Sequence, residues 1–381
     1  MRKSMFQSSL FLCCLGLMAT SHISLAATKQ VEPATEISEN HNWDSANPLR
    51  TKGRSKEVVK QARHFFNEGN AAARKNNFQA AIEAYSAAID LIETIPILFQ
   101  NRGTVYARNN QLQLAIEDYN LALQLDPSLV AVHRSLANAY FRTDRFEKAV
   151  PHFQEALAND ETNIVTRMRL ADSFARLRRR GEAIEHYSII IQAEPGNVNA
   201  LKKRGIVLAQ TGDLNSALDD YNQGITIAPK DARLLLNRGL LLARMKRYEE
   251  SISDFDAVLQ LEPEIAEAYL NRGASYLRLG ALAKAQQNFE TAIEKLPNSS
   301  LAHLNLASVH LARKDLDRAL MGLDEAIRLN QNNVHALFLR GQVYLQRGER
   351  KLALGDLTHA RKLAPKNKSI LRLLEKAQTA Q

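Results

Sequence analysis

A small residue returns at every thirty-fourth position along most of this 381-residue chain. The column contains Ala81, Ala115, Ala149, Ala183, Ala217, Ser251, Ala285, Ala319 and Ala353. Twelve residues before each member lies a Gly or Ala, four residues after it lies a Tyr, Phe or Leu, and twelve after it there is usually a Pro. A fixed period of this length is typical of a repeat architecture, in which one small structural unit recurs along the chain.

Each 34-residue unit is predicted to form two helices joined by a polar turn. In the second unit, Phe99 and Gly103 share one face of the first helix, residues 109–110 form the turn, and the second helix carries Ala115 and Tyr119. Proline at the end of most units cannot continue a helix. We expect Gly103 to face Ala115 across the hairpin and Tyr119 to fill the space toward the next one. Because one hairpin cannot bury its apolar stripe alone, the hairpins must stack.

This pattern resembles the tetratricopeptide repeat (TPR). The family signature at unit positions 4, 7, 8, 11, 20, 24, 27 and 32 corresponds in the seventh unit to Tyr269, Arg272, Gly273, Tyr276, Ala285, Phe289, Ala292 and Pro297. Position 7 departs from the usual leucine, because Arg occurs there in five units, a variant common in bacterial members. The resemblance implies an all-α, right-handed superhelical solenoid of nine helix-turn-helix repeats. Their predicted bounds are 62–95, 96–129, 130–163, 164–197, 198–231, 232–265, 266–299, 300–333 and 334–367.

Residues 1–26 are predicted to be a secretory signal peptide. Arg2 and Lys3 precede an apolar run over 10–19, and 24–26 offers small residues to a signal peptidase. The run is too short to span a membrane, so we expect no membrane span after cleavage and a location in the periplasm or outside the cell. Cys13 and Cys14, the two cysteines of the chain, lie in this segment, and the processed chain would therefore lack disulfides and cysteine metal sites.

The flanks of the repeats have different compositions. Residues 27–61 are polar and are expected to be a disordered or weakly ordered linker. An alternative is that this segment docks into the protein's own groove through Trp43, and the sequence leaves both possibilities open. Residues 368–381 are predicted to form a capping helix, with Ile370, Leu374 and Ala377 on its apolar face.

The sequence offers no sign of catalysis. It contains no nucleophile elbow, phosphate-binding loop or zinc-protease motif, and no insertion interrupts the repeats. His303 and His310 lie seven residues apart without other metal-type neighbours. We therefore expect neither an enzyme nor a bound metal or cofactor.

The family resemblance implies a ligand groove lined by positions 2, 5, 6, 9, 12 and 13 of each unit. In units 3 to 5 these positions are mostly basic and polar, which suits an acidic segment: Arg134, Asn138, Arg142, Arg169, Arg176, Lys202 and Lys203. In units 6 to 9 they are mostly apolar: Leu236, Leu240, Leu270, Leu277, Leu301, Leu304, Leu311, Phe338 and Leu345.

Two rows of like residues cross this predicted groove. Position 13 is Arg74, Arg108, Arg142, Arg176, Arg244 and Arg278. These cations either face a ligand or complement the dipole at the end of each helix. Position 6 is Asn67, Asn101, Asn237, Asn271 and Asn305. This row is similar to the asparagine ladder of O-linked GlcNAc transferases, since Asn can donate to and accept from a peptide backbone. The alternative is a hydrogen bond between turns of the protein itself.

The carboxylate clamp of chaperone-binding family members is only partly matched. The corresponding residues are Arg134, Asn138, Arg169, Asn199 and Lys203, of which only Asn138 is identical to the family pattern. Most of the positive charge is kept. This pattern favours a general preference for acidic chains over recognition of one defined C-terminal peptide.

The expected function is therefore protein binding. We expect a monomeric or weakly associating exported scaffold that holds a polypeptide in its groove, in envelope assembly or as a secreted effector-like binder. A cochaperone of the secretory lumen and a non-catalytic enzyme subunit are the alternatives, although the His-Pro-Asp motif of J-domains is missing. Nucleic acid is not expected, because the period matches TPR, half of the groove is apolar and the signal exports the chain.

Overall fold

The structure is a computed structural model that describes residues 51–379. The predicted signal peptide and residues 27–50 of the predicted linker lie outside this range. The described residues form helices joined by short turns and contain no strand, which confirms the all-α helical-repeat fold. They belong to two compact units, 51–211 and 212–379. No described helix is both long and apolar enough to cross a membrane.

The first unit contains hairpins 1 to 4, numbered as the predicted repeats, and the first helix of repeat 5. Its helices are α1 (Lys56–Arg74), α2 (Phe78–Leu91), α3 (Pro96–Arg108), α4 (Leu112–Leu125), α5 (Val130–Arg142), α6 (Phe146–Asn159), α7 (Ile164–Arg176), α8 (Arg180–Ala193) and α9 (Val198–Thr211).

The second unit contains the second helix of repeat 5, hairpins 6 to 9 and a last helix. These are α10 (Leu214–Ile227), α11 (Ala232–Arg244), α12 (Tyr248–Leu261), α13 (Ala266–Arg278), α14 (Leu282–Lys295), α15 (Ser300–Ala312), α16 (Leu316–Leu329), α17 (Val334–Gln346), α18 (Arg350–Leu363) and α19 (Lys368–Thr379).

Helix α1 begins before the predicted start of the first repeat. The Ser55 hydroxyl accepts a hydrogen bond from the Val58 amide, and Glu57 places a negative charge in the first turn. Both features stabilise a helix N-terminus. Residues 56–61 are therefore helical, and the predicted linker cannot extend to residue 61.

Most hairpins that carry Gly at position 8 close around a contact between this glycine and a large side chain of the second helix. A Cβ added to Gly103 would lie 2.9 Å from a ring carbon of Tyr119, which is buried. Gly273 approaches Phe289 in the same way, with 2.8 Å to the ring. The expected partner of Gly103, Ala115, is not among its nearest atoms, and Tyr119 packs within its own hairpin. The glycine is needed because the aromatic ring occupies the space of its missing side chain.

The turns inside the hairpins need one residue in the left-handed region. Position 15 supplies it, with φ of +57° at Asn76, +59° at Asn110 and +63° at Lys314, whereas Gly280 has +75°. Gly has no Cβ and therefore no steric cost there, and the short polar side chain of Asn can offset the cost by local hydrogen bonding, whereas Lys has a Cβ and no such compensation. The short turns therefore leave some strain at the lysine.

The first helices of the hairpins form one layer in each unit. Neighbouring first helices contact each other, as α3 does with α5 and α13 with α15. Between neighbouring second helices, the described residues show no contact of comparable extent. The first helices therefore lie on the inner side of each unit, and we call their exposed surface the inner face.

Candidate binding surface on the first helices

The inner face of α5, α7 and α9 is strongly basic. At positions 2, 5, 6, 9, 12 and 13, these helices carry six cations and a single carboxylate, Asp172. The cations are Arg134, Arg142, Arg169, Arg176, Lys202 and Lys203. We call these six residues the basic face.

Arg134 and Asn138 offer the most open polar groups of this surface. Arg134 is exposed and Asn138, four residues later on α5, is half-buried. Hydrogen bonds from Asn163 and Thr162 lower the pKa of Asp160, and the positive charge of Arg134 acts in the same direction. No hydrogen bond joins the Asn138 amide to another residue within 51–379, so both of its polar atoms are available.

Arg142 has a structural partner in the preceding hairpin. Its guanidinium donates to the Ala107 carbonyl at 3.1 Å and to Asn110 Oδ1 at 3.0 Å. Arg108 makes the equivalent contact to Asn76 Oδ1 at 2.5 Å. Arg108 and Arg142 thus bind the left-handed turn of the hairpin before their own, an arrangement that neither sequence interpretation included. Because these acceptors are neutral, Arg142 keeps its full positive charge.

Two phenylalanines lie beneath the arginines of α7. The guanidinium of Arg169 is 5.0 Å from the ring centroid of Phe141, and that of Arg176 is 5.8 Å from Phe146. The two rings meet edge to face, with their centroids 5.3 Å apart. Stacking on an aromatic ring restricts an arginine side chain, so less entropy is lost when a carboxylate binds it.

Lys203 is neutralised inside the protein. Its Nζ lies 2.7 and 2.5 Å from the two carboxylate oxygens of Asp172. Burial, and then the nearby Asp172 charge, raises the pKa of Tyr187, whose hydroxyl donates to Asp172 at 2.7 Å. This network satisfies the buried carboxylate, and Lys203 contributes little charge to a ligand. On the same helix Asn199 is exposed and Lys202 is half-buried.

The second unit presents part of the apolar surface that the sequence predicts, because Leu236 and Leu304 are buried and the other seven predicted residues are half-buried. Leu304 has 0% exposure and belongs to a core cluster with Leu323 and Leu339. Leu270 and Leu277 are half-buried and pack against the cluster that contains Phe289. Leu304 is therefore a core residue, because position 5 of this hairpin is covered by neighbouring side chains. Leu304 therefore does not belong to the candidate binding surface.

The asparagine row lies largely below the surface. Asn271 is 7% exposed and Asn305 6%, and Asn237 is half-buried. Asn271 Nδ2 donates to the Glu267 carbonyl one turn earlier in α13, at 2.8 Å. In the first unit Asn101 Nδ2 donates to Asn70 Oδ1 of the previous hairpin, at 3.1 Å. Asn271 and Asn101 thus form hydrogen bonds within the protein, as in the alternative to a row that binds a ligand.

The arginines at position 7 have a role that the sequence analysis missed. Arg238 donates from Nε and Nη2 to both carboxylate oxygens of Asp254, at 2.9 and 2.6 Å, and from Nη1 to Asn222 of the preceding repeat at 2.9 Å. Arg102 and Arg340 repeat this geometry. Hydrogen bonding to Asp254 raises the pKa of Arg238. The sequence feature that could have revealed this pair is an Asp at position 23 of the repeat, sixteen residues after the Arg.

Histidines replace this clamp in hairpins 3 and 4. His152 Nδ1 is 2.8 Å from His133 Nδ1, and His133 Nε2 is 3.0 Å from the Pro127 carbonyl. Burial, followed by the His133 charge, lowers the pKa of His152. No group of three or more His, Cys, Asp or Glu in the described range is arranged to hold a metal ion.

The geometry defines a helical-hairpin repeat protein whose inner face is basic in one unit. Repeat models described as "TPR repeat" or "Tetratricopeptide repeat" match residues 103–144, 130–163, 168–232, 236–287 and 276–342. The chain belongs to the tetratricopeptide repeat family.

Solved structures agree with this fold. A tetratricopeptide repeat protein from Parabacteroides merdae superposes with a TM-score of 0.55 at 19% identity, over 66% of this chain and 99% of that one. The APC/C hetero-tetramer Cut9–Hcn1 gives a TM-score of 0.51 at 13% identity, over 86% of this chain and 78% of that one. No curated protein matches the chain significantly.

Proposed function

We propose that this protein is an exported, non-catalytic scaffold that binds a polypeptide, and that an acidic segment of this partner lies on the basic face. The observation that carries the proposal is the excess of charge: six cations share the inner face of α5, α7 and α9 with one carboxylate. That carboxylate, Asp172, is already bound by Lys203 and Tyr187. An acidic chain would therefore meet a surface on which cations outnumber carboxylates and on which Arg134 is exposed.

Arg134 and Asn138 are the proposed centre of this contact. Both lie on α5, four residues apart, where Arg134 provides charge and Asn138 a neutral donor and acceptor. Arg169 adds a guanidinium that is held against Phe141. Arg142 supplies charge while it stays bound to the previous hairpin, so its substitution would change stability and binding together.

The apolar part of the proposed contact is smaller than the sequence suggests. Leu270 and Leu277 on α13 are half-buried and keep some open surface. Burying the remaining surface of such side chains contributes roughly 1 kcal/mol or less each. The acidic segment is therefore the main determinant of the proposed recognition. The proposal also includes export of the protein and a role in the cell envelope.

Binding of a fluorescein-labelled peptide of alternating Glu and Ala tests this function by anisotropy. We expect the double variant Arg134→Glu and Arg169→Glu to weaken binding at least about tenfold at low salt, because like charges then face the peptide. The single variant Arg134→Glu is compared with Lys148→Glu, on the second helix of hairpin 3, because both change the net charge by two, and Lys148→Glu should bind as wild type. A pull-down with mass spectrometry then identifies the natural partner. Equal binding of the double variant would show that the basic face is only a solvated surface.

A further inference from the structure

The last two helices carry most of the net charge of the protein. Residues 347–381 contain nine Lys or Arg and three Asp or Glu, an excess of six in a chain whose formal net charge is +9. We call six exposed cations of this region the basic end: Arg361, Lys362, Lys366, Lys368, Arg372 and Lys376.

The protein does not neutralise the basic end. Asp356 is occupied by Arg340, and Glu349 lies 3.7 Å from Arg347. Among the acidic residues of this region only Glu375 remains, exposed on α19. Within residues 51–379, none of the six cations forms an ion pair. All six cations are therefore exposed without a carboxylate partner in this part of the chain.

Helices α18 and α19 bring these cations together. The Arg350 guanidinium donates to the Ala377 carbonyl at 2.5 Å and also to the Gln378 carbonyl, so the start of α18 lies beside the end of α19. The two helices therefore run antiparallel, and the turn at 364–367 joins their other ends. Lys368, Arg372 and Lys376 follow at intervals of four along α19, with a rise of about 6 Å between successive members. They form a stripe on one side of that helix.

Exposed leucines lie next to these cations. Leu371 is 40% exposed and lies three residues after Lys368, so the two side chains are neighbours on the surface of α19, and Leu363 is 38% exposed at the end of α18. Leu352, beside Lys351, is 51% exposed. Cations next to accessible leucines suit a lipid interface, where the charges meet anionic headgroups and the leucines reach the acyl boundary. A single-stranded nucleic acid site uses aromatic rings for stacking, and residues 350–379 contain no Phe, Tyr or Trp.

We propose that the basic end binds the surface of a bilayer that contains anionic phospholipid, with Leu363 and Leu371 entering the interface. This contact is peripheral. It lies on α18 and α19, whereas the proposed polypeptide site lies on α5, α7 and α9. A membrane-bound molecule therefore uses different residues for the membrane and for its partner.

Vesicle co-sedimentation of the purified protein tests the proposal. The probes are vesicles of phosphatidylcholine alone and of phosphatidylcholine mixed with phosphatidylglycerol. We expect binding only to the anionic vesicles, and loss of this binding at high salt, where the Debye length falls to about 3 Å at 1 M. The triple variant K368E/R372E/K376E should bind at least about tenfold more weakly, since each cation adds attraction to the surface.

A matched variant separates local from net charge. K56E/K60E/K75E changes three exposed lysines on hairpin 1 and alters the net charge equally, and it should bind almost as well as wild type. Leu371→Ser should weaken anionic binding without changing its salt dependence. Melting curves show whether the variants stay folded, and the single variant Arg372→Glu provides a milder form of the test.

Three results would overturn the proposal. The first is equal binding to neutral and anionic vesicles, and the second is equal weakening by the two triple variants. The third is binding of a single-stranded DNA oligonucleotide that the K368E/R372E/K376E variant loses, while wild type ignores anionic vesicles. That outcome would assign the basic end to nucleic acid.

Discussion

Replacing Arg238 with leucine should destabilise the second unit more than the loss of any exposed ion pair. Asp254, which accepts two of the hydrogen bonds of Arg238, is only 4% exposed. The variant leaves this carboxylate buried without its cation, and the cost of breaking such a pair is about 3–5 kcal/mol. Leucine itself fits the site, because hairpins 3 and 4 carry Leu136 and Leu170 at the same position.

A double-mutant cycle separates the pair from the packing. In hairpin 7 an Asn occupies the Asp position, and Arg272 Nε donates to Asn288 Oδ1 at 2.8 Å. Asp254→Asn should therefore keep one hydrogen bond and cost about 1–2 kcal/mol. In the double variant, Arg238→Leu with Asp254→Asn, no charge is left unpaired. We expect it to be more stable than the sum of the single changes predicts, by about 1–3 kcal/mol.

Urea unfolding followed by circular dichroism measures the free energies, and hydrogen exchange of α11 and α12 reports the local loss, since repeat arrays can unfold in parts. The control is Arg247→Leu in the same hairpin, which breaks a salt bridge to exposed Glu250 and should barely change stability. The reasoning is refuted if Arg238→Leu is no more damaging than this control, or if the cycle is additive.

Three further predictions concern other contacts. Burial, together with the His133 charge, lowers the pKa of His152, so the unfolded chain binds more protons and stability should fall as pH drops below about 6.5. His152→Gln should reduce this loss in urea titrations at several pH values, and exposed His64→Gln should not. Gly273→Ala should lower stability by about 1–3 kcal/mol, since its Cβ would lie 2.8 Å from the Phe289 ring, and an unchanged urea midpoint would contradict the packing argument. Lys314→Gly should raise stability by up to about 1 kcal/mol by relieving a left-handed φ of +63°, and a lower melting temperature would count against turn strain.

The sequence by itself determined the all-α repeat fold and the two-helix unit from which it is built. A period of 34 with small residues, aromatics and prolines at fixed offsets describes which side chains face inward and where each helix stops. These are properties of the local pattern, which is why Tyr119 could be assigned to the core and α19 predicted without coordinates. The start of α1 was missed because its cap, Ser55, lies before the first repeat.

Only the tertiary structure decided which polar groups are free. Arg142 and Lys203 occupy groove positions in the sequence, but their partners Asn110 and Asp172 lie 32 and 31 residues away along the chain. The burial of Leu304 likewise depends on neighbours that approach from another hairpin. A one-dimensional pattern gives the direction of a side chain, whereas hydrogen bonding and burial depend on contacts of about 3 to 4 Å between hairpins. Those distances exist only after the repeats have stacked.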